Sequence, residues 1–95
     1  MAFVYLLRCR DGSLYCGWTN DLDRRLAAHR RGAASKYTRR RLPVELAASW
    51  LFDDASAARR EEWRIKQLTR AEKLALVSEA AGAGRMTTPG RRGTA

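Results

Sequence analysis

The sequence lacks any apolar run long enough to cross a membrane, and its N-terminus lacks the basic region and cleavage site of a secretory signal peptide. It has only two cysteines, Cys9 and Cys16, which are too few for a disulfide scaffold and do not have zinc-site spacing. No internal repeat is present. We therefore expect a cytoplasmic protein with no membrane partner, whose cysteines are small buried thiols on paired strands.

Acidic residues are scarce, with 10 Asp and Glu against 19 Lys and Arg, which gives a net charge of +9. An excess of arginine and alanine can arise from GC-rich coding alone, so the total charge is weak evidence of a polyanionic partner. The cations are also clustered, however, which codon bias does not explain. The clustered cations are Arg24, Arg25, Arg30, Arg31, Lys36, Arg39, Arg40 and Arg41, with only Asp21 and Asp23 nearby. This clustering favours nucleic acid as the partner.

The chain of 95 residues is large enough for one small domain and has no room for a second core. Its content of 45% hydrophobic and 31% charged residues is typical of a globular protein. We place the domain at residues 1–81. Residues 82–95 consist largely of Gly, Thr, Pro and Arg, which predicts a flexible basic tail.

A β-hairpin is predicted at the N-terminus, because two apolar segments at residues 3–9 and 14–17 flank Asp11-Gly12. Its register has two possibilities. A two-residue loop would place Tyr5 opposite Trp18 and turn Tyr15 to the other face of the sheet. A type I turn with Gly12 as a left-handed bulge would pair Tyr5 with Gly17 and place both tyrosines on one face. A site shared by the tyrosines requires the bulge.

The remaining pattern predicts an α+β fold, a small three-stranded, mainly antiparallel sheet flanked by helices. After the hairpin we predict a helix that is capped by Thr19 or Asn20 and ends near Arg30, a basic loop at residues 31–43, and a strand at residues 44–52. A second helix is predicted from Ala57 to about Leu68, with Asp53, Asp54 or Ser56 as its cap. A third helix begins with a Thr69/Glu72 capping box and ends around Gly82 and Gly84.

Several motifs occur in an order that resembles the GIY-YIG nuclease superfamily. They are Val4-Tyr5-Leu6, Tyr15-Cys16-Gly17, Asn20-Asp21-Leu22-Asp23-Arg24-Arg25-Leu26 with His29, Lys36-Tyr37-Thr38, and Arg60-Glu61-Glu62-Trp63-Arg64-Ile65-Lys66. The last two resemble the small stand-alone bacterial members. Phe3, Val4 and Cys16 depart from the superfamily's tripeptides at structural positions, and Asn20 is the last asparagine, although some members use one after the metal-binding glutamate.

The resemblance implies metal-assisted hydrolysis of a phosphodiester. It implies that Glu62 holds a divalent ion, usually Mg²⁺ or alternatively Mn²⁺, and that Arg25 offsets charge on the phosphate. It also implies that Tyr5 helps to deprotonate water, with Tyr15 nearby, and that His29 assists by accepting a proton. Gly17 is a structural position in the motif. A free tyrosine has a pKa near 10, so Tyr5 needs nearby cations such as Arg25 and the metal ion to act as a base at neutral pH.

The residues alone do not distinguish Glu61 from Glu62, since both lie near the predicted buried stripe at Ala58 and Ile65. The glutamate that directly precedes the aromatic residue in the superfamily's pattern is Glu62. Each site residue could also have a non-catalytic role, for example as an ordinary strand tyrosine or a solvated arginine. The catalytic interpretation fails only if this is true of all of these residues at once.

We therefore predict an endonuclease that acts on DNA, with branched, flapped or irregular DNA as the substrate class implied by the resemblance, in repair or recombination. A protein partner for targeting is a further expectation. The alternatives are a non-catalytic or partner-dependent nucleic-acid-binding module of the same fold and a basic structural protein. The residues predicted to bind nucleic acid are Arg24, Lys36, Tyr37, Arg39, Arg40 and Arg41.

Overall fold

The computed structural model describes residues 1–82 and confirms the predicted α+β fold with a three-stranded antiparallel sheet. Its strand order is β2-β1-β3, so β2 and β3 form the two edges. The elements are β1 (Ala2–Arg8), β2 (Leu14–Thr19), α1 (Leu22–Arg30), α2 (Lys36–Arg39), β3 (Glu45–Phe52), α3 (Ala55–Lys66) and α4 (Arg70–Gly82). Apart from Gly82, the predicted tail lies outside the described residues. None of the helices within residues 1–82 is long and apolar enough to span a membrane.

The β1–β2 hairpin adopts the bulged register. Gly12 has a φ of 86°, its amide donates to the Cys9 carbonyl at 2.9 Å, and the Cys9 amide donates to the Ser13 carbonyl at 2.9 Å. Tyr5 consequently pairs with Gly17, and Leu7 pairs with Tyr15. Because side chains alternate along a strand, Tyr5 and Tyr15 share one face of the sheet, as predicted.

The sheet is buried on both faces, which explains why Val4, Tyr5, Leu6 and Leu7 are consecutive and all at most 1% exposed. On one face, Val4 and Leu6 pack in a cluster with Cys16 and Trp50, together with Ala58 and Ile65 of α3 and Leu76 of α4. On the other face, Tyr5 and Leu7 pack in a cluster with Cys9, Val44 and Leu26 of α1. Both cysteines are buried and free, as predicted; Cys16 lies in β2 and Cys9 directly follows β1.

Two local predictions were wrong. The predicted loop at residues 31–43 contains helix α2, because the Ser35 side chain accepts hydrogen bonds from the amides of Tyr37 and Thr38. Helix α1 is capped by Asp21, whose carboxylate accepts from the Arg24 amide at 3.1 Å, rather than by Thr19 or Asn20. Thr19 belongs to β2, and its hydroxyl instead accepts from the Asp21 amide.

The N-terminal caps of the last two helices agree with the predicted ones. Asp54, one of the three candidates, caps α3, which begins and ends about two residues earlier than predicted. At the start of α4, the Thr69 amide donates to Glu72 at 2.8 Å and the Glu72 amide donates to the Thr69 hydroxyl at 3.1 Å. This is the predicted reciprocal capping box.

We predict that Gly17→Ala destabilises the protein by about 1–3 kcal/mol through overpacking. A Cβ atom at residue 17 would lie 2.5 Å from the Tyr5 hydroxyl oxygen and 2.7 Å from the ring carbon that bears it. Tyr5 is only 1% exposed, so its ring has little room to move away. Thermal unfolding should show a decrease in Tm of several degrees for a domain of this size. The control is Tyr5→Phe, in which the same Gly17→Ala change should cost less. An equal cost in both backgrounds would contradict the proposed clash with the hydroxyl.

Candidate active site

An open cleft of about 600 Å³ runs along the edge formed by β2 and brings together six of the predicted site residues. Its lining includes Tyr5, Tyr15, Gly17, Arg24, Arg25 and Glu62. Strands β1 and β2 supply the tyrosines and the glycine, α1 supplies the arginines, and α3 supplies the glutamate from the opposite face of the sheet. The site can therefore form only where the sheet ends.

His29 lies behind the cleft and is 1% exposed. Its Nε2 atom is 2.9 Å from the Tyr5 hydroxyl, and its Nδ1 atom is 2.9 Å from the Thr38 hydroxyl. With the Thr38 hydroxyl proton assigned to the Ser35 carbonyl, 3.3 Å away, the hydroxyl oxygen is left to accept from His29. This network assigns the proton of neutral His29 to Nδ1 and leaves Nε2 to accept from Tyr5.

Burial determines the charge state of the Tyr5–His29 pair. Burial raises the pKa of Tyr5 to about 12, with Tyr15 acting in the same direction, and the opposing effect of Arg25 is smaller. Arg25 therefore lowers the tyrosine pKa, as expected from the sequence, but does not outweigh burial. Burial, assisted by Arg25, also lowers the pKa of His29 to about 4. Both side chains are neutral at pH 7, and a proton can pass from Tyr5 to His29 along one hydrogen bond.

Glu62 and Glu61 have different surroundings although they are adjacent. Glu62 lines the cleft and pairs with Lys66, with 3.2 Å between Oε2 and Nζ. Glu61 forms a close ion pair with Arg64, one turn along α3. Of the two carboxylates, Glu62 is thus the one directed to the tyrosines and Arg25.

The donor set suits a hard divalent ion that keeps much of its hydration shell. Within residues 1–82 there is no cluster of three or more His, Cys, Asp or Glu that could enclose a metal. Glu62 instead presents one partly buried carboxylate, 19% exposed, to an open cleft. A single carboxylate completed by water and phosphate oxygens is an ordinary Mg²⁺ environment, so these residues fit the metal implied by the sequence.

The residues predicted to contact nucleic acid fall into two groups. Arg24 lines the cleft, whereas Lys36, Arg39 and Arg40 are exposed on or just after α2. Tyr37 and Arg41 form a structural stack on Tyr15. The Tyr37 ring lies 5.7 Å from the Tyr15 ring, and the Arg41 guanidinium lies 3.8 Å from the centre of the Tyr37 ring. Arg41 also pairs with Asp11 at 3.1 Å, so it joins α2 to the hairpin turn.

Sequence reasoning missed several contributors to the site. Thr38 was noted only as part of a motif, yet it is completely buried and fixes the orientation of His29. Trp18, Asn20 and Arg31 line the cleft but were not assigned to it. Arg31 could have been assigned to the site, because it belongs to the cation cluster recognised in the sequence. Nothing local indicated Thr38, because its partner is nine residues earlier on another helix.

Comparison with known proteins identifies relatives over nearly the whole described fold. The family model described as the GIY-YIG catalytic domain matches residues 1–75. The UPF0213 protein CPE1444 of Clostridium perfringens is 49% identical over 78 residues, which cover 82% of this chain and 84% of that protein. A UPF0213 protein of Halobacterium salinarum is 51% identical over 76 residues, covering 80% and 99% of the two chains.

A solved structure supports the same assignment. The solution NMR structure of the UPF0213 protein BH0048 from Bacillus halodurans is 42% identical and has a TM-score of 0.57, covering 93% of this chain and 99% of that chain. The chain therefore belongs to the GIY-YIG family of nuclease domains and, within it, resembles the small single-domain UPF0213 proteins.

Proposed function

We propose that this protein is a metal-dependent endonuclease that hydrolyses phosphodiester bonds in DNA. Branched, flapped or otherwise irregular DNA is the proposed substrate class, and repair or recombination in the cytoplasm is the proposed setting. The observation that carries the proposal is the convergence of Glu62, Arg25 and the buried Tyr5–His29 pair on one cleft. A carboxylate, a cation and a proton acceptor are the groups that such a hydrolysis requires.

Glu62 would hold Mg²⁺ or Mn²⁺ in the cleft. When bound, the ion supplies Lewis-acid stabilisation of negative charge on phosphate oxygens. Lys66, whose Nζ is 3.2 Å from Glu62 Oε2, helps to hold the carboxylate in position along α3. Arg25 contributes fixed positive charge from the α1 side of the cleft, where it can offset the charge that develops on the attacked phosphate.

Tyr5 and His29 would move the proton of the attacking water. The water proton passes to the Tyr5 oxygen as the Tyr5 proton passes to His29 Nε2, so no free phenolate is required. This coupling is important because a tyrosine with a pKa of about 12 is almost never ionised at pH 7. Thr38 keeps Nε2 available by accepting from Nδ1. The water oxygen bonds to phosphorus as the bond to the leaving oxygen breaks, and the proton on His29 returns through Tyr5 to that leaving oxygen or to solvent.

Arg24, Lys36, Arg39 and Arg40 would contact the nucleic-acid backbone beside the cleft. They are exposed cations on two helices that pack against each other and flank the tyrosines. Such contacts position the substrate without reading its sequence. Tyr37 and Arg41 would support this surface through their stack on Tyr15, and a targeting protein would supply further selectivity.

The central test is Glu62→Gln, assayed on plasmid, flap and branched DNA with Mg²⁺ and with chelator. We expect at least about 100-fold slower cleavage, because a lost metal contact costs several kcal/mol of transition-state stabilisation. DNA binding should be nearly unchanged. The matched control is Glu61→Gln, which removes the same charge from the neighbouring residue. Loss of activity in the Glu61 variant alone would reassign the carboxylate, and binding without metal-dependent cleavage by the wild type would favour a binding module.

The double variant Arg39→Ala/Arg40→Ala tests the role of α2. Each lost phosphate contact should reduce the steepness of the plot of log affinity against log salt by about 1. Arg41 is left intact because its removal would also disturb the Tyr37 stack. Arg8→Ala/Lys73→Ala removes two cations elsewhere and serves as the control; Arg70 is kept because it donates to the Gly12 carbonyl in the hairpin turn. Equal slopes for the wild type and the α2 variant would mean that Arg39 and Arg40 do not contact phosphates and that α2 only connects α1 to β3.

The pH titration of His29 can be followed directly by NMR, since it is the single histidine in the chain. We expect a pKa near 4 and an increase in Arg25→Met, because Arg25 disfavours the imidazolium. Between about pH 6.5 and 4 the unfolded chain binds a proton that the folded chain does not, so stability falls as the pH decreases. The loss is about 3 kcal/mol and should be missing in His29→Gln. A measured value near that of free histidine would mean that solvent reaches the ring.

A further inference from the structure

The outer face of α3 exposes an aromatic ring among cations. Trp63 is 67% exposed, and its ring makes no aromatic or cation–π contact within residues 1–82. Arg59 and Arg60 are exposed on the same helix and line a shallow groove together with Trp63. Exposure of so large a ring forgoes the burial energy that tryptophan normally contributes to a core. The fold itself does not use this side chain.

The position of Trp63 is tied to the candidate active site. Residues four apart lie on one face of a helix, so Arg59 and Trp63 are neighbours. Lys66, three residues beyond Trp63, lies between this face and Glu62, with which it pairs. Glu62 lines both the groove and the catalytic cleft. A DNA strand that leaves the cleft past Glu62 would therefore pass next to Trp63.

We propose that this face binds an unpaired nucleotide adjacent to the cleaved phosphate. The Trp63 ring stacks on the base, and Arg59 and Arg60 contact the flanking phosphates. This inference rests on the proposed nuclease function and specifies its substrate: the DNA must present a single-stranded segment on the α3 side of the cleft. In a continuous duplex the bases already stack on one another, so their faces are closed to Trp63.

The chemistry of the face favours nucleic acid over a protein partner. An aromatic ring flanked by arginines is the combination that binds single strands, because every base has a π-face and every nucleotide a negative charge. Tryptophan and arginine are also common at protein–protein interfaces. Nucleic acid is favoured here because the groove shares Glu62 with the cleft proposed to hold DNA, and because the four cations Arg59, Arg60, Arg64 and Lys66 of α3 outnumber its two carboxylates.

The test measures the binding of three labelled DNAs by fluorescence anisotropy in chelator, so that no cleavage occurs. The DNAs are a blunt duplex, the same duplex with a single-stranded flap, and the flap strand alone. We compare the wild type with Trp63→Ala and Trp63→Phe. Because stacking on one aromatic side chain typically contributes about 5- to 150-fold in affinity, Trp63→Ala should bind the flap and the single strand about 10-fold more weakly. The affinity of Trp63→Ala for the blunt duplex should not change. The affinity of Trp63→Phe for the flap and the single strand should lie between those of the wild type and Trp63→Ala.

Each result has a defined meaning. Unchanged flap binding by Trp63→Ala overturns the inference and leaves the face to a protein partner. An equal loss on all three DNAs also overturns it, since stacking on an unpaired base predicts a selective loss. A wild type that binds none of the DNAs refutes the proposed function as well. Selective loss on the flap in a protein that does not cleave with Mg²⁺ supports the Trp63 site and refutes only catalysis.

Intrinsic fluorescence provides a second measurement that does not depend on comparing affinities. Trp50 is 2% exposed, and Trp63 is more exposed than the half-buried Trp18, which lines the cleft. Addition of the single strand should quench the wild type, and the quenching should be clearly smaller in Trp63→Phe, where only that of Trp18 remains. Equal quenching in both proteins would place the stacked base elsewhere.

Discussion

The hydrogen bond between Tyr5 and His29 is the constraint on which the site depends. It joins β1 to α1 in the interior, and Thr38 extends it to α2. Three polar side chains can be buried together at low cost only when each finds a partner, so the network fixes these elements relative to one another. The Tyr5 hydroxyl reaches His29 only because Gly17, opposite it, has no side chain. The left-handed Gly12 in turn sets the register that places Gly17 there.

The same burial makes the pair a weak acid and a weak base. The shifted pKa values of Tyr5 and His29 lie far apart, about 12 and about 4, so the resting pair carries no charge. In the proposed mechanism, a charge would develop on the pair only as substrate and metal bring compensating charges into the cleft. The burial that positions the pair would then also keep it inactive without substrate. Arg25 contributes to both effects, since it favours an ionised Tyr5 and disfavours a protonated His29.

The sequence predicted those features whose cause is local. Asp11-Gly12 was sufficient to locate the hairpin but allowed two registers, and the bulged one followed only from the requirement that Tyr5 and Tyr15 share a face. Thr69/Glu72 was sufficient for the start of α4. Helix α2 has only four residues and too little apolar periodicity to be recognised, so its cap at Ser35 was the sole signal. Thr38 could not be assigned because its role arises from tertiary contact with His29. Glu61 and Glu62 could not be separated because both flank the same buried stripe, and only the position of the sheet edge distinguishes them.

Helix α3 joins the core to two different surfaces. Ala58 and Ile65 are both fully buried, and they fix the rotation of the helix about its axis. Successive residues of a helix are about 100° apart, so this rotation directs Glu62 into the cleft and Trp63 towards solvent. Neither residue can be redirected without unpacking the core. The spacing between the carboxylate and the exposed ring is therefore as rigid as the helix itself. Under the proposed function, this fixed spacing would let a base held at Trp63 determine which phosphate enters the cleft.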